Sequence, residues 1–542
     1  MPSWPPWRWP SPTRRKPTKR VSEMPPAIEY LLLAPIIAVF GAALLGIGVE
    51  ALVVRRLRFP VQVGQAGIAI AVALIFTVRN WMSGDSRSIA AMGAVAIDGP
   101  AMAAWLLLLL GAGGVLVVAA ERASNGGVSA FTGQATATPD SPEEEAAESA
   151  GVEHTEVFPL FLFALGGMLV LASASNLLTV FVGLEAMSLP LYLLVGLARR
   201  NRMLSHEAAL KYFLLGATGS AVFLYGVALL FGYAGSFDYA AIVDAITTPR
   251  NSDTLVYAGL ALAAVGLLFK LGVFPFHAWV PDVYTGAPTA ITAYLASCGK
   301  VAAVYALLRL LFVPLGALRW TWQLPLAVVA LASIAYGAIA GLTQHNVKRL
   351  LAYSGIVHAG FMLMPIAVAS TAHTGELVSD FGSAGALLFY LLTYLPPTLG
   401  AFALTLWVRD DSGPNPELSG WRGLAHRSPF LALAMGVFML SLIGLPGTGG
   451  FVSKLITLVL AWRNDMAWLA LGGLACSLLA AGFYLRVIRI MFMETPPQFG
   501  PPVPRSKPLA ALVMLCLAVT VYLGVFPASV GDMIADMTEL LR

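Results

Sequence analysis

The sequence predicts an all-α polytopic membrane protein with about 14 transmembrane helices. Three observations predict it. Of the 542 residues 58% are hydrophobic and 11% charged, whereas soluble domains carry about 25% charged residues. Apolar segments of roughly 20 residues, the length that spans a bilayer, recur along the whole chain. The few ionisable groups inside those segments stand beside prolines and glycines, so charge and opened backbone coincide, as they do along ion pathways.

Residues 1–26 are a Trp/Pro/Arg-rich tail without the apolar core of a signal peptide. Residues 27–120 carry helices 1–3, with apolar stretches at 28–54, 61–79 and 99–120. Residues 121–156 are rich in Gly, Ser, Thr and Ala and hold the run Glu143, Glu144, Glu145, which reads as an acidic flexible loop with no assigned chemistry. Residues 157–320 carry helices 4–8, at 157–174, 176–197, 207–234, 254–273 and 287–313. Residues 321–495 carry helices 9–13, at 323–343, 347–369, 381–408, 429–463 and 466–493. Residues 496–542 hold the last helix, at 508–530. Segment 12 is too long for one span and is interrupted by Pro446 and its neighbouring glycines; segment 7 runs into Pro275, Pro281 and Pro288. Helices 7 and 12 are therefore expected to be broken.

Helices 4–8 and 9–13 share a plan, with a broken helix and a nearby lysine fourth in each set. Such paired discontinuities point to internal repeats. A unit with an odd number of helices reverses direction from one copy to the next, so two five-helix repeats here must be inverted. Lys and Arg number about 16 in the odd-numbered connections and about 5 in the even ones, which puts the odd connections in the cytoplasm and both termini outside. Arg8, Arg14, Arg15, Lys16, Lys19 and Arg20 run against that assignment. Either the tail is tolerated outside or the chain starts at Met24, and the second reading is preferred.

Cys298, Cys476 and Cys516 lie in apolar segments without metal or pairing spacing and read as small core residues. No Gly-rich nucleotide loop, CxxC pair or haem motif is present, so redox chemistry belongs to a partner. The ionisable groups left inside spans are Glu185, Lys211, Lys270, Lys300, His358 and Lys454, with His277 at a break. A charge at bilayer depth costs a few kcal/mol, roughly 2.5–3.5 on insertion scales, and persists where it pairs or meets water. Burial disfavours a charged lysine and a nearby carboxylate favours it, so lysines between these influences can take up and release protons. The competing readings are structural: a hydrogen-bonded acid for Glu185, an i,i+4 pair with Glu207 or a snorkelling end for Lys211, a helix-end cap for His277 and a satisfied core histidine for His358. Lys348 and Arg349 read as orientation charges.

Several stretches resemble the antiporter-like subunits of proton-translocating NADH-quinone oxidoreductase, respiratory complex I. Glu185-Ala-Met-Ser-Leu-Pro-Leu-Tyr192 is similar to the family's fifth-helix motif. Phe269-Lys-Leu-Gly-Val-Phe-Pro-Phe-His-Ala-Trp-Val-Pro-Asp282, with Gly286-Ala-Pro-Thr289, resembles the signature its members share. Asn346-Val-Lys-Arg-Leu-Leu-Ala-Tyr-Ser-Gly-Ile-Val-His-Ala-Gly360 resembles the tenth-helix entry, although Gly355 stands where a second serine is common. Glu207-Ala-Ala-Leu-Lys-Tyr-Phe-Leu-Leu-Gly-Ala217 is typical of the family's N branch. With Gly420-Trp-Arg-Gly-Leu424 and the Lys454 segment, the likeness spans about residues 28–530. The M branch usually carries glutamate where Lys454 stands, and the L branch a long lateral helix that this chain lacks.

The resemblance implies a proton-pumping subunit of the membrane arm in a bacterial cell membrane, part of an enzyme that transfers electrons from NADH to quinone. It implies a Glu185–Lys270 pair in one half-channel, Lys300 as link to the centre, and Lys454 in the other half-channel. Lys211, His277 and His358 complete the candidate set. It implies no cofactor in this chain; NADH, FMN, iron–sulfur clusters and quinone are expected in partner subunits. The expected partners are the neighbouring antiporter-like subunit M, the small subunits J and K, the lipid bilayer and protons, and no nucleic acid. A subunit of a multisubunit cation/proton antiporter, or of a membrane-bound hydrogenase arm, is the alternative.

Overall fold

The computed structural model describes residues 29–542 except 84–87, 123–128, 132–140, 144–145, 147–153, 249–252, 370–381, 411–412, 497–505, 539 and 541–542. The basic tail, the Met24 start and most of the acidic loop lie outside the described residues.

The chain folds into a helical bundle. Its elements are α1 (Tyr30–Leu52), α2 (Arg55–Met82), the hairpin β1 (Ser88–Ala90) and β2 (Val95–Ile97), α3 (Gly99–Ala119), α4 (Val157–Ser173) and α5 (Leu177–Val195). Next come α6 (Arg202–Ala234), α7 (Tyr239–Thr247), α8 (Thr254–Leu271), α9 (Trp279–Gly286) and α10 (Thr289–Phe312). Then α11 (Arg319–Gly341), α12 (Val347–Val368) and α13 (Ser383–Thr405) precede a small hairpin of β3 (Arg409–Asp410) and β4 (Gly413–Pro414) and the short α14 (Leu424–Arg427). Last are α15 (Pro429–Ile443), α16 (Gly449–Arg463), α17 (Ala467–Met493), α18 (Lys507–Val525) and α19 (Gly531–Asp536). Among the described residues, 12 helices are long and apolar enough to cross a membrane; α4 and α15 are shorter apolar helices.

Burial sorts the helices. α12 is buried along its whole length, and α3, α10 and α13 nearly so. α1, α2 and α18 leave large aliphatic side chains such as Leu45, Ile68 and Leu515 exposed, as lipid-facing helices do. Side-chain caps fix several starts: Asp98 accepts from Ala101 N at 2.9 Å, Asn176 from Thr179 N at 2.7 Å and Asn346 from Arg349 N at 3.2 Å. Asp98 also binds Arg309 through two buried contacts of 2.9 and 2.6 Å, which join the start of α3 to α10. Cys298 and Cys516 are buried and Cys476 half-buried, all as free thiols.

Two breaks organise the interior. α8 stops at Leu271 because Gly272 turns into the left-handed region at φ +74°, and Pro275 follows with no N–H to continue the helix. α15 stops at Ile443 in the same way, with Gly444 at φ +89° and Pro446 beyond it. α10 carries a third irregularity, a π-helical turn over Leu295–Gly299 that frees backbone carbonyls directly before Lys300.

Candidate functional site

The first cluster surrounds the α8 break. Lys270 is 7% exposed and donates to the Tyr212 hydroxyl at 3.0 Å. Its ammonium lies 4.8 Å from the Tyr212 ring centroid and 5.3 Å from that of Tyr192, within cation–π reach. Tyr212 stacks on Trp279 at 4.8 Å, and the Trp279 indole donates to the Phe269 carbonyl at 3.0 Å, bridging the break. Glu185 and Tyr192 share one face of α5, seven residues apart. Glu185 makes no direct ion pair with Lys270, contrary to the pairing that the resemblance implies. Tyrosine rings stand around the ammonium instead. Glu185 Oε1 is buried and has no hydrogen-bond partner among the described residues.

Lys300, 2% exposed, donates to the Leu271 carbonyl at 3.1 Å, the last carbonyl of α8. It thus satisfies a backbone acceptor that the break leaves open. Lys270 and Lys300 both line one small enclosed cavity with Tyr212, Trp279 and Tyr284. Its free volume of about 10 Å³ is close to what one water needs. Two buried lysines from different helices thereby line one water-sized space.

The second cluster lies beyond Lys300. A side chain at Gly355 would meet the Lys300 Cε at 3.3 Å, so glycine there lets α12 approach the lysine. Tyr394 donates to the Ala296 carbonyl in the π turn at 3.1 Å, and its ring lies 5.0 Å from His358. The His358 Nδ1 shares a 2.7 Å hydrogen bond with the Tyr390 hydroxyl, and Nε2 faces the Tyr484 hydroxyl at 3.4 Å. Tyr484 also bonds Ser354 at 2.5 Å, so Ser354 and His358, one turn apart on α12, meet the same tyrosine.

Lys454, 6% exposed, donates to the carbonyls of Leu442 at 2.9 Å and Ile443 at 2.8 Å and to Ser477 Oγ at 3.0 Å. Its ammonium sits 5.1 Å from the Phe361 ring centroid. The geometric counterpart of Lys454 is therefore Lys300 rather than Lys270: each caps the carbonyl end of a broken helix, whereas Lys270 binds a phenol.

Two candidates stand apart from this line. Lys211, 41% exposed, pairs with Glu207 at 2.7 Å, as its i,i+4 spacing suggests, and with Asp282 at 2.8 Å. His277 packs its ring against Phe274 and Tyr336, with centroids at 5.5 and 4.1 Å, and no hydrogen bond among the described residues joins it to the lysines. Lys348 and Arg349, at the start of α12, also make specific contacts with other elements. Lys348 is 7% exposed and donates to the Ala287 carbonyl at 2.7 Å, and Arg349 binds Asp282 at 2.7 Å.

Sequence reasoning missed Tyr192, Tyr212, Tyr390, Tyr394, Tyr484, Ser477 and Asp282. The usable signal was there: Tyr192 is seven residues from Glu185, and Tyr212 adjoins Lys211 in a stretch already singled out. Spacing alone does not say which phenols face a lysine on another helix.

Residues 174–480 match the family described as NADH:quinone oxidoreductase/Mrp antiporter, TM. A protein of Acidothermus cellulolyticus named "NADH-quinone oxidoreductase subunit N" is 45% identical over 518 residues, covering 95% of this chain and 97% of that protein. A chain of respiratory complex I from Thermus thermophilus superposes with a TM-score of 0.73 at 32% identity, over 93% of this chain and 99% of that one. A chain of the Mrp complex from Dietzia sp. DQ12-45-1b superposes with a TM-score of 0.78 at 20% identity, over 94% of this chain and 97% of that one, a likeness of fold alone.

Proposed function

The chain belongs to the NADH:quinone oxidoreductase/Mrp antiporter transmembrane family, and we propose on that premise that it carries protons across the membrane as the N-type membrane-arm subunit of an NADH-quinone oxidoreductase. The relatives at 42–45% identity over about 95% of the chain support the oxidoreductase assignment over the antiporter one. The observation that carries the pumping is the water-sized cavity shared by Lys270 and Lys300.

The proton path runs from Glu185 to Lys270, across the cavity to Lys300, and through Tyr394, His358 and its two phenols to Lys454. A shift of charge at an adjoining subunit alters the field of Glu185 on Lys270. Closing the gap between Glu185 and Lys270 to about 4 Å would give an interaction of about 4 kcal/mol at an effective dielectric of about 20, enough to change which group holds a proton. Phenols and single waters pass protons between lysines without themselves staying charged. Lys211 and His277 flank the path and position its elements.

The energy comes from electron transfer elsewhere in the complex, where NADH, FMN, iron–sulfur clusters and quinone reside. The adjoining subunits are those of types M, J and K. The frame is fourteen helices, counting α8 with α9 and α15 with α16 as single broken spans. Helices 4–8 (157–320) and 9–13 (321–495) form two inverted repeats, after helices 1–3 (27–120) and before the last helix (496–542). The odd-numbered connections face the cytoplasm and both termini the outside of a bacterial cell membrane.

Lys270→Ala in the assembled complex tests this. In inverted membrane vesicles given NADH, acidification of the lumen and coupled quinone reductase activity should both drop to a small fraction of wild type. Normal acidification by that variant would refute the path.

A further inference from the structure

We propose that Asp282 is a positioning residue, which fixes the half-helix α9 between α6 and α12 and so sets the Trp279–Tyr212 contact that holds Lys270. This rests on the proton path above but makes its own claim about α9.

α9 has eight residues and follows a break, too few to hold a helix in place by its own hydrogen bonds. Its placement depends on what ties it down. Asp282 gives each carboxylate oxygen one cation from a different helix: Oδ2 takes Lys211 of α6 at 2.8 Å, and Oδ1 takes Arg349 of α12 at 2.7 Å. Lys211 also binds Glu207 at 2.7 Å, so four charges of alternating sign run from α6 through α9 to α12. Lys348, next to Arg349, holds the far end of α9 through the Ala287 carbonyl.

Trp279, Asp282 and Gly286 lie at i, i+3 and i+7, one face of α9. That face meets α6: Trp279 stacks on Tyr212, and a Cβ on Gly286 would lie 2.6 Å from Ala208 Cβ and from the Leu204 carbonyl oxygen. Exposed ion pairs are worth little as stability, typically about 0.2–1 kcal/mol each. Here their consequence is geometric. A displacement of α9 moves the Trp279 ring, which moves Tyr212, whose hydroxyl is the partner of Lys270. α12, which supplies Lys348 and Arg349, also carries His358, so the same clamp joins the two clusters.

The test compares Asp282→Asn and Asp282→Glu in the intact complex by two measurements: hydrogen–deuterium exchange over residues 272–288, and protons moved per NADH oxidised. Asp282→Asn should raise exchange in that segment severalfold and lower the proton yield, and Asp282→Glu should bring both back towards wild type. Wild-type exchange and yield in Asp282→Asn would overturn the proposal. So would raised exchange with a normal yield, or a glutamate variant no better than the asparagine one. If Asp282→Asn fails to assemble, Lys211→Gln removes one of the two arms from the partly exposed side and is read the same way. A Lys270→Ala complex that pumps normally would refute the proton path, while the exchange measurement would still judge Asp282.

Discussion

Tyr212 is the single side chain on which most of the first cluster depends. Its hydroxyl accepts from Lys270 and its ring lies against Trp279 and Tyr192. Tyr212→Phe keeps the rings and deletes only the acceptor. A hydrogen bond to a charged group contributes about 1.5–3 kcal/mol, so the variant should assemble normally and pump roughly tenfold more slowly or worse, measured as the initial rate of vesicle acidification. The lysines themselves were legible, because a charge inside an apolar run is conspicuous. Their partners were not. Ammonium groups here bind phenols and the open carbonyls of broken helices, and neither kind of partner differs in sequence from an ordinary aromatic or aliphatic position. Glu185 shows the same limit: its place among the buried ionisable groups could be read, but the tyrosines around Lys270 could not.

At the scale of elements, the two breaks decide where lysines can be kept. Each ends on a left-handed glycine, Gly272 or Gly444, and each exposes terminal carbonyls that a lysine takes up. The α15–α16 break also requires close approach: a Cβ on Gly450 would collide with the Ser441 carbonyl oxygen. Gly450→Ala should therefore push α16 away from α15 and destabilise the fold by at least the roughly 1–3 kcal/mol typical of overpacking, seen as a lower unfolding temperature of the purified complex. Most helices were visible in the sequence as apolar runs bounded by polar turns. α6 starts at Arg202 rather than 207, because the polar stretch Arg202–His206 carries no helix stop and simply continues the first turns. The π turn before Lys300 left no signal, since it arises from how α10 packs rather than from a proline or glycine pair.

At the scale of the molecule, the helices nearest the centre, α10, α12 and α13, contribute Lys300, His358, Tyr390 and Tyr394, while Lys270 and Lys454 come from the broken helices on either side. The proposed path runs along these groups, from the Glu185 cluster to Ser477, through the most buried helices of the bundle. Such a line stores no energy; it needs an external push at one end, which in the proposed function comes from electron transfer in other subunits. Lys300 lines the cavity shared with Lys270 and lies against Gly355 of α12, so in the proposed path it joins the two clusters. The most direct test is the number of protons moved per NADH oxidised by the whole complex in sealed vesicles, for wild type and Lys300→Met, which keeps the stem and removes the charge. The ratio should fall sharply in the variant while the complex remains assembled; an unchanged ratio would contradict a path through the buried lysines.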